Sequence, residues 1–157
     1  MTINRLLKIT LIISVAILFN FNLLFFTIII PVLAKEAIQV CIKNVCVQAE
    51  IADSDSLRQR GLMFREKLMT LEAMLFVFKT EAMHIFWMKN MNIPLDIIWI
   101  NRNKTVVDIK TQCQPCKDSC PQLIPSRRSL YVLEVSAGFV EKNKIQIGDK
   151  VEFNPFP

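Results

Sequence analysis

The run Leu95-Asp96-Ile97-Ile98-Trp99-Ile100 constrains the fold of this chain more than any other stretch. At the two-residue period of a strand, Leu95, Ile97 and Trp99 share one face and Asp96, Ile98 and Ile100 the other. Both faces are apolar, which predicts an interior strand with Asp96 near its start. The same tract begins at His84, so HIFWMKNMNIPLDIIWI (84–100) carries Lys89, Asn90 and Asp96 inside a run that wants to be buried. Extended, its first part would set Phe86, Met88 and Asn90 opposite Ile85, Trp87, Lys89 and Met91.

Further short apolar runs recur at MLFVF (74–78), TVVDIK (105–110), LYVLEV (130–135) and KVEF (150–153). Asn101–Lys104 reads as a turn between two of them, and Pro94 starts another. Many short strands with compact connections predict a mainly β domain, a compact sandwich or a distorted barrel. IQVCIKNVCVQAEI (38–51) reads as a hairpin turning at Lys43-Asn44. That register pairs Ile42 with Val45, Val40 with Val47 and Ile38 with Ala49 on one apolar face. Gln39–Gln48 and Cys41–Cys46 pair on the other, the cysteines at a close position about 4.5 Å apart at Cα, which suits a disulfide. Two short helices are expected: one over about 54–60, with cap candidates Asp53 and Ser54 and Gly61 after its end, and one around 137–143.

Residues 1–34 differ from the rest. Arg5 and Lys8 precede an apolar run from Ile9 to Leu33, and Val32-Leu33-Ala34 offers a signal-peptidase site. The run is also long enough to span a bilayer. The expectation is a signal peptide or an uncleaved membrane anchor through residues 9–33, with residues 35–157 exported as one domain to the cell envelope. That domain holds 17 of the 19 basic residues and all 14 acidic ones. No Lys/Arg run or basic–aromatic interleaving occurs in it, so nucleic acid is not an expected partner. All five cysteines lie there too, and an oxidising compartment would pair four and leave one thiol.

Cys113, Cys116 and Cys120 with Pro121 copy three-quarters of a ferredoxin cluster run, but Lys110 stands where the first ligand would fall. A local disulfide is the stronger reading: Cys116–Cys120 is favoured, while 113–116 and 113–120 stay open. No metal or cofactor is expected. His84 is the sole histidine, so no paired-histidine metal site can form, and no G-x-S-x-G occurs. Asp96 and Glu134, each flanked by apolar residues, could form an acid/base pair. Buried carboxylates need partners or they neutralise, and Arg60, Arg65 and Lys89 are the cations at hand. These groups either fix loops or line a pocket for a small polar or anionic ligand.

Taken in order, RQRGLMFRE (58–66), MLFVF (74–78), FWMKNMNIPLDIIWI (86–100), the PC…CP loop (115–121), VLEVSAG (132–138) and IGDKVEF (147–153) resemble the domain of unknown function 192 family. The resemblance implies a compact, mostly β domain of about a hundred residues, often exported in bacteria, with no established activity, substrate or cofactor. The family's polar positions fall on Arg60, Arg65, Lys89, Asn90, Asp96 and Glu134, the candidate ligand-binding residues. This chain departs from the family at Ala73, where glycine is usual, and at Met91, where threonine is usual. A cysteine pair in the PC…CP loop recurs in some members, which supports a loop disulfide. The functional expectation is a non-catalytic envelope module that binds a small ligand or a protein partner. The alternative is a hydrolase-like envelope enzyme with Asp96 or Glu134 as acid/base and Arg60 or Arg65 holding an anion.

Overall fold

The computed structural model describes residues 37–154. The expected signal or anchor segment, residues 1–34, lies outside them, and so does the membrane contact expected through residues 9–33. Among the described residues no helix is long and apolar enough to cross a membrane.

In chain order the elements are β1 (Ala37–Ile42), β2 (Val45–Ala52), α1 (Asp55–Arg60), β3 (Glu72–Ala82), β4 (Leu95–Ile100), β5 (Val106–Cys113), β6 (Ser129–Ser136), α2 (Phe139–Lys142) and β7 (Val151–Glu152). All seven strands form one sheet in the order β5-β4-β6-β3-β2-β1-β7. Only β2 and β3 pair in parallel, and α1 lies in the crossover that joins them. The sheet curls into a half-barrel, and its two edge strands are clipped together. Thr105 bridges Lys150, the Val106 N–H donates to the Asp149 carbonyl at 2.9 Å, and the Gly148 N–H donates to the Val106 carbonyl at 2.8 Å. Of the two architectures expected, the distorted barrel therefore holds and the two-sheet sandwich does not. A single curled sheet supplies its own interior, so no second sheet is needed to bury the strands' apolar sides.

The β1–β2 hairpin has the expected register at every pair from Ile38–Ala49 to Ile42–Val45. Lys43 accepts a positive φ of 54° in its turn. Cys41 and Cys46 are disulfide-bonded, with Cα atoms 4.0 Å apart, and Cys116 is bonded to Cys120. Cys113 is the free, buried thiol. Two disulfides hint at an oxidising, extracytoplasmic setting. Helix α1 starts where Ser54 Oγ accepts the Leu57 N–H and ends at Gly61, whose φ is +49°.

All six residues of β4 are buried. Ile98 and Ile100 join an inner cluster to which every strand contributes, among them Val40, Val47, Leu75, Val106, Leu133 and Val151. Leu95, Ile97 and Trp99 join an outer cluster with Phe76, Met74, Val132 and Leu62. The alternation read from the sequence is thus the partition of the core. The run HIFWMK (84–89) departs from expectation, because it forms no strand. It alternates inward Phe86 and Met88 with exposed Ile85, Trp87 and Lys89, yet meets its neighbours only through single bridges, Phe86–Leu123 and Lys89–Cys116. It is a lid segment on the outer cluster, outside the ladders of the sheet.

Asp96 is fully buried on the inner face. One oxygen accepts the Gln112 N–H at 2.9 Å and the other the Val140 N–H at 2.9 Å, tying a positive-φ residue of β5 and the first turn of α2 to β4. Asp96→Asn would turn an amide NH₂ toward one of those donors. It is expected to cost about 1–3 kcal/mol, read from chemical denaturation midpoints at constant slope. Mapping of non-reduced peptides should recover 41–46 and 116–120 links and a Cys113 thiol that alkylates only after unfolding.

Candidate functional site

The outer cluster is incompletely covered. A cavity of about 600 Å³ opens between α1, the lid segment and strands β3 and β6. This lies within the size range of small-ligand pockets. Phe76, Leu62, Met91 and Phe86 form its apolar base, and Phe78, Met63, Ile85 and Trp87 its walls. Gly61 sits at its edge, where an added Cβ would lie 3.3 Å from the Phe76 ring in a backbone conformation side chains rarely adopt. Asp55, Arg58, Arg60 and Lys89 stand around the opening.

Glu134 also lines this cavity. On β6 it is directly opposite Met74 of β3 and Ile97 of β4, both in the outer cluster. It is 5% exposed, and its Oε2 has no hydrogen-bond partner among the described residues. Burial alone pushes its carboxyl up to about 8, so it carries its proton at neutral pH. A buried, unpartnered polar group facing a cavity is rare in a folded domain and points to a missing partner.

The six expected ligand residues divide. Arg60, Lys89 and Glu134 line the cavity; Arg65, Asn90 and Asp96 do not. Arg65 is ion-paired with Glu50. Asn90, at φ 58°, accepts the Phe64 N–H at 2.9 Å through its carbonyl and donates its own N–H to the Cys116 carbonyl at 3.1 Å. Asp96 is sealed as described. The suggested Asp96–Glu134 acid/base pair does not exist, because adjacent register positions on neighbouring strands send the two side chains to opposite faces. Asp96 is opposite Val135, of the inner cluster, while Glu134 is opposite Ile97, of the outer one.

Arg58 is a cavity residue the sequence reading missed. Its guanidinium donates to the Val77 carbonyl at 2.8 Å and to Asp53 and Asp55, and lies 5.4 Å from the Phe78 ring centre. The i, i+3 spacing from Asp55 was the available signal. Arg60, by contrast, makes no side-chain hydrogen bond or ion pair among the described residues, and the Lys89 ammonium only lies 5.8 Å over Trp87. His84 is half-buried outside the cavity lining, its ring stacked on Phe78 at 3.5 Å. Burial and then Arg58 lower its pKa, against a raising bond to the Thr80 carbonyl. Among the described residues no three His, Cys, Asp or Glu side chains are grouped to hold a metal.

Comparison with known proteins agrees with this architecture. The family profile described as "Uncharacterized ACR, COG1430", the domain of unknown function 192, matches residues 38–153. A UPF0127 protein from Pyrococcus furiosus is 30% identical over 117 residues, 71% of this chain and 91% of that protein. A crystal structure from Novosphingobium aromaticivorans, of a protein of unknown function, is 31% identical with a TM-score of 0.69 and covers 78% of this chain and 89% of its own. Another, from Sinorhizobium meliloti and described as a candidate transcription regulator, is 26% identical with a TM-score of 0.72, covering 79% and 98%.

The Glu134 proton gives a pH signature. The carboxyl ionises near its ordinary value of 4.5 in the unfolded chain but near 8 in the folded one. Its contribution is therefore fully present below the lower value and is lost as pH rises toward the upper. The slope is roughly 1.4 kcal/mol per pH unit at most. Thermal unfolding across that window should show falling stability, and Glu134→Gln should flatten the fall without lowering stability at neutral pH.

Proposed function

The chain belongs to the domain of unknown function 192 family, and from that premise we propose that its domain is a non-catalytic envelope module whose outer cavity binds a small ligand. The observation that carries the reading is Glu134, a buried carboxyl with an unpartnered oxygen at the base of an aromatic-lined cavity. Two uncommitted cations at the opening, Arg60 and Lys89, suit a ligand with an anionic group, and the apolar walls suit an apolar body. The two disulfides support an exported location, as does the basic-then-apolar character of residues 1–34.

One observation favours a catalytic reading. A carboxyl that holds its proton near neutrality is what general acid/base chemistry needs. With Asp96 sealed and Arg65 paired, that reading reduces to Glu134 as acid/base and Arg60 as anion holder. Recovery of the bound ligand unchanged after long incubation separates binding from turnover.

The test is a thermal-shift screen of small organic anions with apolar bodies. Saturation at a hundredfold excess over Kd should stabilise the protein by about 2.7 kcal/mol. Trp87, half-exposed on the cavity wall, should report binding as a change in emission, whereas Trp99 is fully buried. Arg60→Ala should remove most of the shift and Arg65→Ala should leave it. The reverse pattern would place the ligand elsewhere.

A further inference from the structure

We propose that the ligand is an extended zwitterion with an apolar body, its protonated amine set against Glu134 and its anionic group held at the opening by Arg60 and Lys89. This rests on the cavity's being a ligand site, and it specifies what enters.

The argument is one of unmet partners at two separate places. At the base, Glu134 Oε2 has no hydrogen-bond partner among the described residues, and the groups beside it supply none. Its cross-strand neighbours are Met74 and Ile97. Farther along the same row, Glu50 lies beyond Met74 and is paired with Arg65, and Lys110 lies beyond Ile97 and is exposed. Cys113, the nearby buried thiol, turns its S–H toward the Thr111 carbonyl. Phe76 and Phe86 line the base, and aromatic rings attract an organic ammonium. At the opening the balance is reversed. Arg58 is consumed by Val77, Asp53 and Asp55, while Arg60 and Lys89 have no counter-charge among the described residues.

A simple anion held at the opening would leave Glu134 Oε2, at the base, without a partner. A simple amine would satisfy the acid but would have to settle beneath two uncompensated cations. A molecule carrying both charges at opposite ends meets both demands, and the apolar walls require an apolar stretch between them. An α-amino acid head alone, with its charges on one carbon, does not separate them.

The proton balance follows. In the free protein Glu134 is protonated at neutral pH. The amine arrives already as ammonium, the complex holds carboxylate and ammonium, and the acid proton leaves to the buffer. No bond in the ligand changes.

The experiment is calorimetry on the full-length protein with ε-aminocaproate, caproate and hexylamine, at neutral pH and in buffers of different ionisation enthalpy. Shorter and longer homologues of each run alongside, so that spacer length is not a cause of failure. The zwitterion is expected to bind about tenfold or more tighter than either single-charge analogue, with about one proton released per ligand. Glu134→Gln should keep the fold, abolish proton release and reduce zwitterion affinity to that of the anion. Lys89→Ala should weaken zwitterion and anion together and leave proton release intact.

Tight caproate binding with no preference for the zwitterion and no proton release would overturn the proposal while leaving the cavity a ligand site. Preference for hexylamine would equally overturn it, by removing the role of the opening. Binding by none of the compounds overturns it as well, and a silent anion screen would then take the cavity reading with it.

Discussion

The constraint on which the structure depends is a strand with no solvent side. All of β4 is buried, so both faces of the sheet around it must be covered. The inner face is covered by the sheet itself, which curls until β5 and the approach to β7 meet at Thr105–Lys150, and by Phe139 and Val140 of α2 and Ile145 after it. The outer face has no such solution. It is covered by α1, by the 84–91 segment and by the loop closed by Cys116–Cys120, pieces held to one another by isolated bridges rather than ladders. A cover made of short irregular pieces does not tile a sheet face, and the gap it leaves lies over Glu134.

Two carboxyl groups one register step apart show what that difference in covering does. Asp96 points inward, where backbone N–H groups of Gln112 and Val140 converge on it, so both oxygens are satisfied without a counter-ion. Glu134 points outward into apolar surroundings and keeps its proton instead. Burial is nearly equal for the two, at 0% and 5% exposure. What separates them is hydrogen bonding: a satisfied acid fixes a fold, whereas an unsatisfied one is a standing cost that a ligand can relieve.

Much of this was legible in the sequence. The hairpin register, the Cys41–Cys46 link and the two faces of β4 follow from alternation at period two, which is local. The cap at Ser54 and the stop at Gly61 are likewise local chemistry. The segment 84–89 misled because alternation reports which side chains are buried, not whether the backbone finds a ladder. Which acid would be sealed depends on where Gln112 and Val140 return in space, 16 and 44 residues after Asp96. Arg58 escaped notice because its role comes from the Val77 carbonyl and the Phe78 ring, contacts made only once β3 lies beside α1.

The polar positions of the family motif therefore serve two ends. Asn90 and Phe64, both at positive φ without being glycine, are joined by one backbone bond that ties the end of the α1 region to the lid. Asparagine tolerates that conformation, whereas phenylalanine at 68% exposure pays for it with no burial in return. The bond fixes the neighbours of both residues, Met63 on one side and Lys89 and Met91 on the other, and all three line the cavity. Asn90 thus holds the backbone on which the cavity is built, while Arg65 is paired with Glu50 and Asp96 ties β5 and α2 to β4. That leaves Arg60, Lys89 and Glu134 with unmet polar capacity, around a cavity on the outer face where a small molecule has room to meet it.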